Sequence, residues 1–426
     1  MIQADLIIEG AAELVTLAGG SHRPRRGDEM RELRIIHQGA LAARRGKIVW
    51  VGPTADLLTA VKPVVFSRLI SAYGKTVMPG LVDPHTHLVF AGSRENEFSM
   101  RIQGKTYPEI AAAGGGINAT VAATRTASKD DLRAGGRIVL DRMLALGTTT
   151  VEAKSGYGLD LSTEIKMLEV IQELNEWGPV TVIPTFMGAH EIPPEHRQNP
   201  EAYVDLVISR MMPEVAARKL ARFCDVFCES GVFSVEQSER ILHAAQAAGL
   251  EPRLHADELS DLGGAAMAAR IKARTADHLL FASDDGIRQM AQAGVIAVLL
   301  PGTAYFLHMQ RYARARDMIA AGVPVALATD CNPGSCMTES VPLIMNIACT
   351  QMRMLPAEAI TAATINAAWA VGEEDCAGSL EVGKQADVLI LDAPNHEHLC
   401  YHFGVNLVET VIKNGKVVAE RGQRIH

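Results

Sequence analysis

No stretch of this 426-residue chain approaches the ~18–20 consecutive apolar residues of a membrane-spanning helix, and its opening, MIQADLIIEG, lacks the basic region of a secretory signal. Positive charge is in deficit. Forty-one Lys and Arg face 49 Asp and Glu, and the resulting −8 argues against an electrostatic nucleic-acid binder. The seven cysteines are odd in number and scattered, as expected of reduced thiols in a cytoplasmic protein rather than a disulfide framework. A phosphate loop is also missing, because Gly114–Gly116 is not followed by the Lys-Ser/Thr such a loop needs; the segment reads as a flexible loop. Disorder is excluded by composition: 48% hydrophobic and 21% charged residues supply a large core. The length exceeds one ordinary domain of ~100–200 residues, so one large barrel with an accessory domain, or two to three smaller domains, is expected.

The two chain ends share a style. Short β-rich runs at 5–8, 14–17 and 47–51 are broken by Gly10, Gly46 and Gly52. Runs at 386–391, 408–413 and 416–419 repeat it, with Asn414-Gly415 as a hairpin signal. Such runs cannot bury a core alone, which predicts one small β-sandwich-like domain built from residues 1–78 plus 381–426. The charge-dense stretch 21–34 reads as a solvated loop.

The middle, 79–380, alternates between two patterns. Candidate strands lie at 80–87, 148–154, 180–186, 224–229, 252–255, 276–280, 296–300 and 324–330. Helices fill the gaps: Ser128-x-x-Asp131 and Ser234-x-x-Gln237 read as capping boxes, and Met167, Val170, Ile171 and Leu174 share one helical face before Gly178. Eight β-then-α units predict an α/β fold of the (β/α)8 barrel type. A doubly wound sheet has the same periodicity. What favours the barrel is that the polar residues fall at the strands' C-terminal ends, the face where barrel active sites form.

His85-x-His87 closes the first strand, and residues i and i+2 of a strand share a face. His255 ends the fifth strand and Asp330 the eighth. A buried carboxylate is costly unless paired or metal-bound. His85, His87, His255 and Asp330 together suit one divalent metal with an open coordination position. Arg94, seven residues after His87, is placed to clamp a carboxylate over the barrel mouth. Cys224 and Cys228 share a strand face and read as core.

With these residues the chain resembles the amidohydrolase superfamily: a His-x-His on strand one, a His on strand five, His278 on strand six and an Asp on strand eight. PGLVDPHTH and GKQADVLILD look like its entry and exit segments. HTHLVFAGSRENEF, EAKSGYGL, MGAHEIP, LHADELSDLGGA and ATDCNPGS are similar to one branch of it. That resemblance covers nearly the whole chain and implies hydrolytic ring opening of 4-imidazolone-5-propanoate to N-formimidoyl-L-glutamate, in histidine breakdown. It also implies that Asp330 moves the proton, with His278 and Glu258 as further catalytic candidates. Tyr157, His190, Glu258, Asn332, Gly334 and Ser335 would contact the substrate.

The alternatives are neighbours and one outsider. A hydantoinase-like cyclic amidase would carry a lysine at the end of strand four; CDVFCESG has none, Lys154 lies on strand two, and Glu229 would have to bridge a second metal. An amine deaminase shares the metal pattern. A noncatalytic scaffold barrel would have lost ligands that remain here. One zinc or iron ion per chain, a small-molecule substrate, no nucleic-acid or membrane partner and a homodimer complete the expectations.

Overall fold

The computed structural model describes residues 1–19, 22–106, 109–110 and 113–425. Eight parallel strands follow one another in chain order: Leu81–Asp83, Thr148–Lys154, Thr181–Ala189, Phe223–Cys228, Glu251–Ala256, Thr275–His278, Ile296–Leu299 and Val325–Leu327. Each overlaps its expected segment. Strand one is shorter than expected, because Pro84 offers no amide hydrogen to the ladder, and strand eight ends at Leu327, before the expected Asp330.

Pairing resumes beyond Pro84 and closes the barrel. Asp330 N donates to His85 O at 3.0 Å, His87 N donates to Cys331 O at 3.0 Å, and Thr86 bridges Cys331. Below them the buried Asp83 carboxylate accepts from Thr329 N at 3.0 Å and Thr329 Oγ1 at 2.5 Å. The seam that makes the sheet a barrel therefore runs through three of the expected metal ligands.

Both capping boxes form, on helices Lys129–Ala145 and Val235–Ala247. Helix Leu161–Trp177 buries Met167, Val170, Ile171 and Leu174 against the barrel, as their spacing predicts. Among the described residues no helix is long and apolar enough to cross a membrane. All seven cysteines are free thiols, with Cys224 and Cys228 buried in the core.

The two ends of the chain meet in one mixed sheet of nine strands. Its path runs Gln423–Arg424, Lys416–Glu420, Val408–Lys413, Val388–Leu391, Thr76–Pro79, Ile2–Val15, Ile35–Arg44 and Lys47–Pro53, and Val61–Ser71 also pairs with Ile2–Val15. The join is the antiparallel pairing of Leu389 with Met78. Leu6, Ile8, Leu14, Leu41, Val77, Val388, Ile390 and Ile412 form its apolar cluster.

The stretch 21–34 is not a solvated loop. Ser21 lies outside the described residues, but Arg25, Met30 and Leu33 are buried. Arg25 N and Asn366 Oδ1 bond at 2.8 Å, and Thr361 Oγ1 donates to Met30 O at 2.8 Å. Charge density misled because Arg25 turns inward to the carbonyls of Leu17, Ala18 and Glu32, and Arg31 pairs with the buried Glu358.

Asn414 and Gly415 adopt φ of 50° and 72°, the paired left-handed residues that a tight two-residue hairpin requires. Gly415→Ala should destabilise the fold by ~1 kcal/mol, the cost of a left-handed alanine, and so lower the melting temperature, with unchanged turnover per folded chain. Thermal unfolding beside an activity measurement checks both.

Candidate active site

The ligand candidates converge because each follows a strand's C-terminal end. His85 and His87 lie on the extension of strand one, His255 within strand five and His278 at the end of strand six. Asp330 follows strand eight. His278 and Asp330 have φ of 74° and 54°, a left-handed backbone that turns each side chain out of the strand's regular alternation. Such conformations cost on the order of 1–3 kcal/mol and persist where the surroundings hold them.

The imidazole rings crowd one point. Centroids of His85 and His255 are 4.5 Å apart, His255 and His278 5.2 Å, and His85 and His87 5.5 Å. Asp330 Oδ1 faces His85 Nε2 at 3.5 Å and His87 Nε2 at 3.7 Å, while Thr303 Oγ1 donates to its other oxygen at 2.6 Å. Two triads suited to a metal share His85: one with His87 and Asp330, the other with His255 and His278. His278, expected beside the metal, is therefore also close enough to join its ligands.

Two buried carboxylates decide which way the rings present themselves. His85 Nδ1 bonds Asp277 at 2.6 Å, and His255 Nδ1 bonds Asp225 at 2.8 Å. A neutral imidazole that donates from Nδ1 leaves Nε2 as a bare acceptor. Burial, helped by Lys154 and the neighbouring histidines, holds His85 well below the usual histidine range; burial and neighbouring histidines do the same for His87 and His278. Neutral rings are the metal-binding form.

The donor set fits a cation on two further grounds. His85 Nε2, His255 Nε2 and both ring nitrogens of His278 are buried with no hydrogen-bond partner. Leaving such atoms unpaired costs ~1–3 kcal/mol each, which coordination would remove. The charges agree. Glu152, Asp225, Asp277 and Asp330 are buried with Lys154 and Arg253 as their cations, so four carboxylates face two positive groups. Lys154 Nζ bonds Glu152 and Asp225, both at 2.8 Å, and Arg253 bonds Asp277 at 3.2 Å. This excess of buried carboxylates over cations favours a positive ion at the centre.

The expected substrate contacts ring this cluster. His190 stacks on His87 at 4.7 Å and donates from Nδ1 to Gly156 O at 3.0 Å, so its Nε2 can accept. Burial pulls its pKa to about 3, with His255 adding to the effect. Tyr157 lies 5.3 Å from His190 and 5.7 Å from His87, its phenol pushed up by burial and by Asp330. Glu258 Oε2 is 3.6 Å from His278 Nε2. Burial, then Asp330 and Glu229, push its pKa to about 8.

Arg94 is less free than its sequence position suggests. Glu97 takes its Nε and one Nη at 2.9 and 2.8 Å, which leaves the outer Nη edge for a substrate. That edge abuts Gly334, where an added Cβ would lie 2.0 Å from Arg94 Nη1. A side chain there would push the Arg94 guanidinium aside. Asn332 engages its side chain within its own loop: Oδ1 accepts from Gly334 N and Ser335 N at 2.8 Å each, and Nδ2 donates to Asp330 O and Ser335 Oγ at 2.7 Å each. Asn332 thus shapes the loop that presents Gly334 and Ser335.

Sequence reasoning missed Asp225, Asp277, Glu97, Thr303 and the Lys154 network. A signal existed. Glu152-x-Lys154 and Arg253-x-His255 put charge on alternate residues of apolar strands, the mark of a polar barrel interior. Glu229 does not face the metal cluster. Its carboxylate accepts from Leu259 N at 2.8 Å and Ser230 N at 2.8 Å, holding the loop that carries Glu258.

Asp277→Ala should weaken metal retention about 10- to 100-fold, because His85 loses the acceptor that fixes its tautomer. Metal content across a chelator series checks it, with circular dichroism to confirm the fold; retention equal to the unchanged protein would sink the idea.

The comparisons with known proteins agree with this geometry. A family model described as "Amidohydrolase family" matches residues 76–418. An imidazolonepropionase of Symbiobacterium thermophilum is 54% identical over 424 residues, 99% of this chain and 99% of that one. One of Brevibacillus brevis is 56% identical over 417 residues, 98% of each chain. Among solved structures, a triazine hydrolase variant matches with TM-score 0.74 at 17% identity, over 99% of this chain and 96% of that one. An adenosine deaminase from Xanthomonas campestris with bound zinc matches with TM-score 0.69 at 21% identity, over 100% and 95%. At such identities these two speak for the fold alone. Full-length relatives above 50% identity and the family match over most of the chain lead to one placement: this chain belongs to the amidohydrolase family and, within it, to the imidazolonepropionases.

Proposed function

We propose that this chain hydrolyses the ring C–N bond of 4-imidazolone-5-propanoate to give N-formimidoyl-L-glutamate, with one zinc or iron ion held by His85, His87, His255 and Asp330. The observation that carries the reading is the convergence of neutral imidazoles and a carboxylate beside an arginine with one edge free. A bound cation supplies Lewis acidity, lowering the pKa of water from ~15.7 toward ~7.

The chain's own groups divide the remaining work. Asp330, the carboxylate of the cluster, takes a proton and passes it on. Glu258, near 8, is protonated at neutral pH and donates a hydrogen bond to the ring. His190 accepts from a ring N–H through Nε2, Tyr157 packs against the ring, and His278 stabilises charge on the ring oxygen. Arg94, steadied by Glu97, binds the propanoate, with Gly334 and Ser335 bordering it. Glu229 is engaged by backbone amides, which supports a mononuclear centre. A homodimer in the cytoplasm is the setting we assign to the enzyme.

The direct test is loss of 4-imidazolone-5-propanoate with identification of the product. N-formimidoyl-L-glutamate is expected, and ammonia release from a purine or pyrimidine instead would overturn the reading. Asp330→Asn should lower kcat at least ~10²-fold, the scale of acid–base catalysis; more than about a tenth of the rate surviving with metal bound would move the proton transfer elsewhere. Arg94→Met should depress kcat/KM by the ~2–5 kcal/mol of a broken desolvated charge pair, about thirty- to several-thousand-fold. Lys should rescue it partly, lacking the planar fork. An imidazolone without the carboxylate is the control, and equal loss on both substrates would refute the clamp.

A further inference from the structure

The loop after strand two carries Tyr157 and holds His190, yet its own backbone is unfavourable. Gly156 has φ of 106° and Leu159, a non-glycine, 55°. Close approach excludes a side chain on either side of Tyr157. A Cβ at Gly156 would lie 3.0 Å from His190 Nδ1, and one at Gly158 would lie 2.6 Å from Glu164 N. Such a loop needs something to hold it.

Glu164, in the first turn of helix Leu161–Trp177, is wholly buried. Its Oε1 accepts from Gly158 N at 2.8 Å and Leu159 N at 2.9 Å, and its Oε2 accepts from Gly156 N at 3.1 Å. The hydroxyl of Ser155, which accepts from Met187 N at 2.9 Å, lies beside the same carboxylate and lowers its pKa. Gly156 in turn offers the carbonyl that fixes the His190 ring. One carboxylate therefore gathers the amides on both sides of Tyr157 and, through Gly156, the tautomer of His190. The start of a helix is a favourable place for its charge.

We propose that Glu164 is a positioning residue for the substrate pocket, acting through Tyr157 and His190 without touching substrate or metal. Its claim to affect substrate binding rests on the function proposed above; its claim to hold the loop does not. Glutamine at 164 keeps the volume but replaces one acceptor with a donor, which would face amides that also donate.

The test compares wild type, Glu164→Gln, Tyr157→Ala, the double variant and Ser155→Ala, each loaded with zinc. In Glu164→Gln, amide hydrogen exchange at Gly156, Gly158 and Leu159 should quicken at least about tenfold while the barrel strands keep their protection and the metal content holds. KM should rise at least about tenfold, kcat should change less, and the double variant should be no worse than Glu164→Gln alone, since residues acting as one unit are not additive. Unchanged exchange, an unchanged KM, multiplied losses in the double variant or lost metal would each overturn the proposal. Ser155→Ala removes this hydroxyl and should move exchange and KM in the same direction by a few-fold; if Glu164→Gln does not fold, a wild-type result from Ser155→Ala overturns it. A wild type that opens no ring refutes the functional reading, and the exchange rates still decide whether Glu164 holds the loop.

Discussion

The rest of the site depends on the pairing of Asp277 with His85 and of Asp225 with His255. An imidazole in a dry interior offers one donor and one acceptor, and only the partner on Nδ1 determines which nitrogen faces the cavity. These aspartates are themselves buried and would be costly alone, so Arg253 and Lys154 are buried beside them. The arrangement still carries more negative than positive charge, and its histidines point bare nitrogens inward. Electrostatics and hydrogen bonding thus make the same demand for a cation at the same point.

The closing seam of the barrel adds a second constraint. His85, His87 and Asp330 are bound to one another's strands by backbone hydrogen bonds, so the distances among three donors are set by sheet closure rather than by flexible loops. Around that rigid centre, the surrounding loops are held by buried acceptors: Glu97 receives Gly116 N, Glu164 the amides about Tyr157, Glu229 those after Glu258, and Asn332 those of Gly334 and Ser335. Loops that must hold a small polar substrate have few apolar contacts of their own. A buried side-chain oxygen gives each a fixed shape, through charge-assisted bonds where it belongs to a carboxylate.

The alternation of strands and helices, the capping boxes and the Asn414-Gly415 turn were legible because each is a local pattern with a local cause. His85, His87, His255 and Asp330 were legible too, since polar residues ending apolar runs mark a barrel's functional face. The stretch 21–34 was misread because composition cannot distinguish an arginine in water from one bonded to a buried glutamate.

The sequence by itself determined the element types, the strand order of a βα-repeating chain and the set of side chains able to bind a metal and clamp a carboxylate. Tertiary structure decided the rest. It chose the tautomers through Asp225 and Asp277, placed His278 within reach of the metal ligands, gave Glu97 one edge of Arg94 and turned Glu229 away from the centre. Each of these is a matter of burial and of partners from strands up to 246 residues apart, as in the Asp83–Thr329 bond that helps close the barrel. Spacing along a chain fixes which residues share a face, but the free energy of a proton or a charge depends on everything that surrounds it in space.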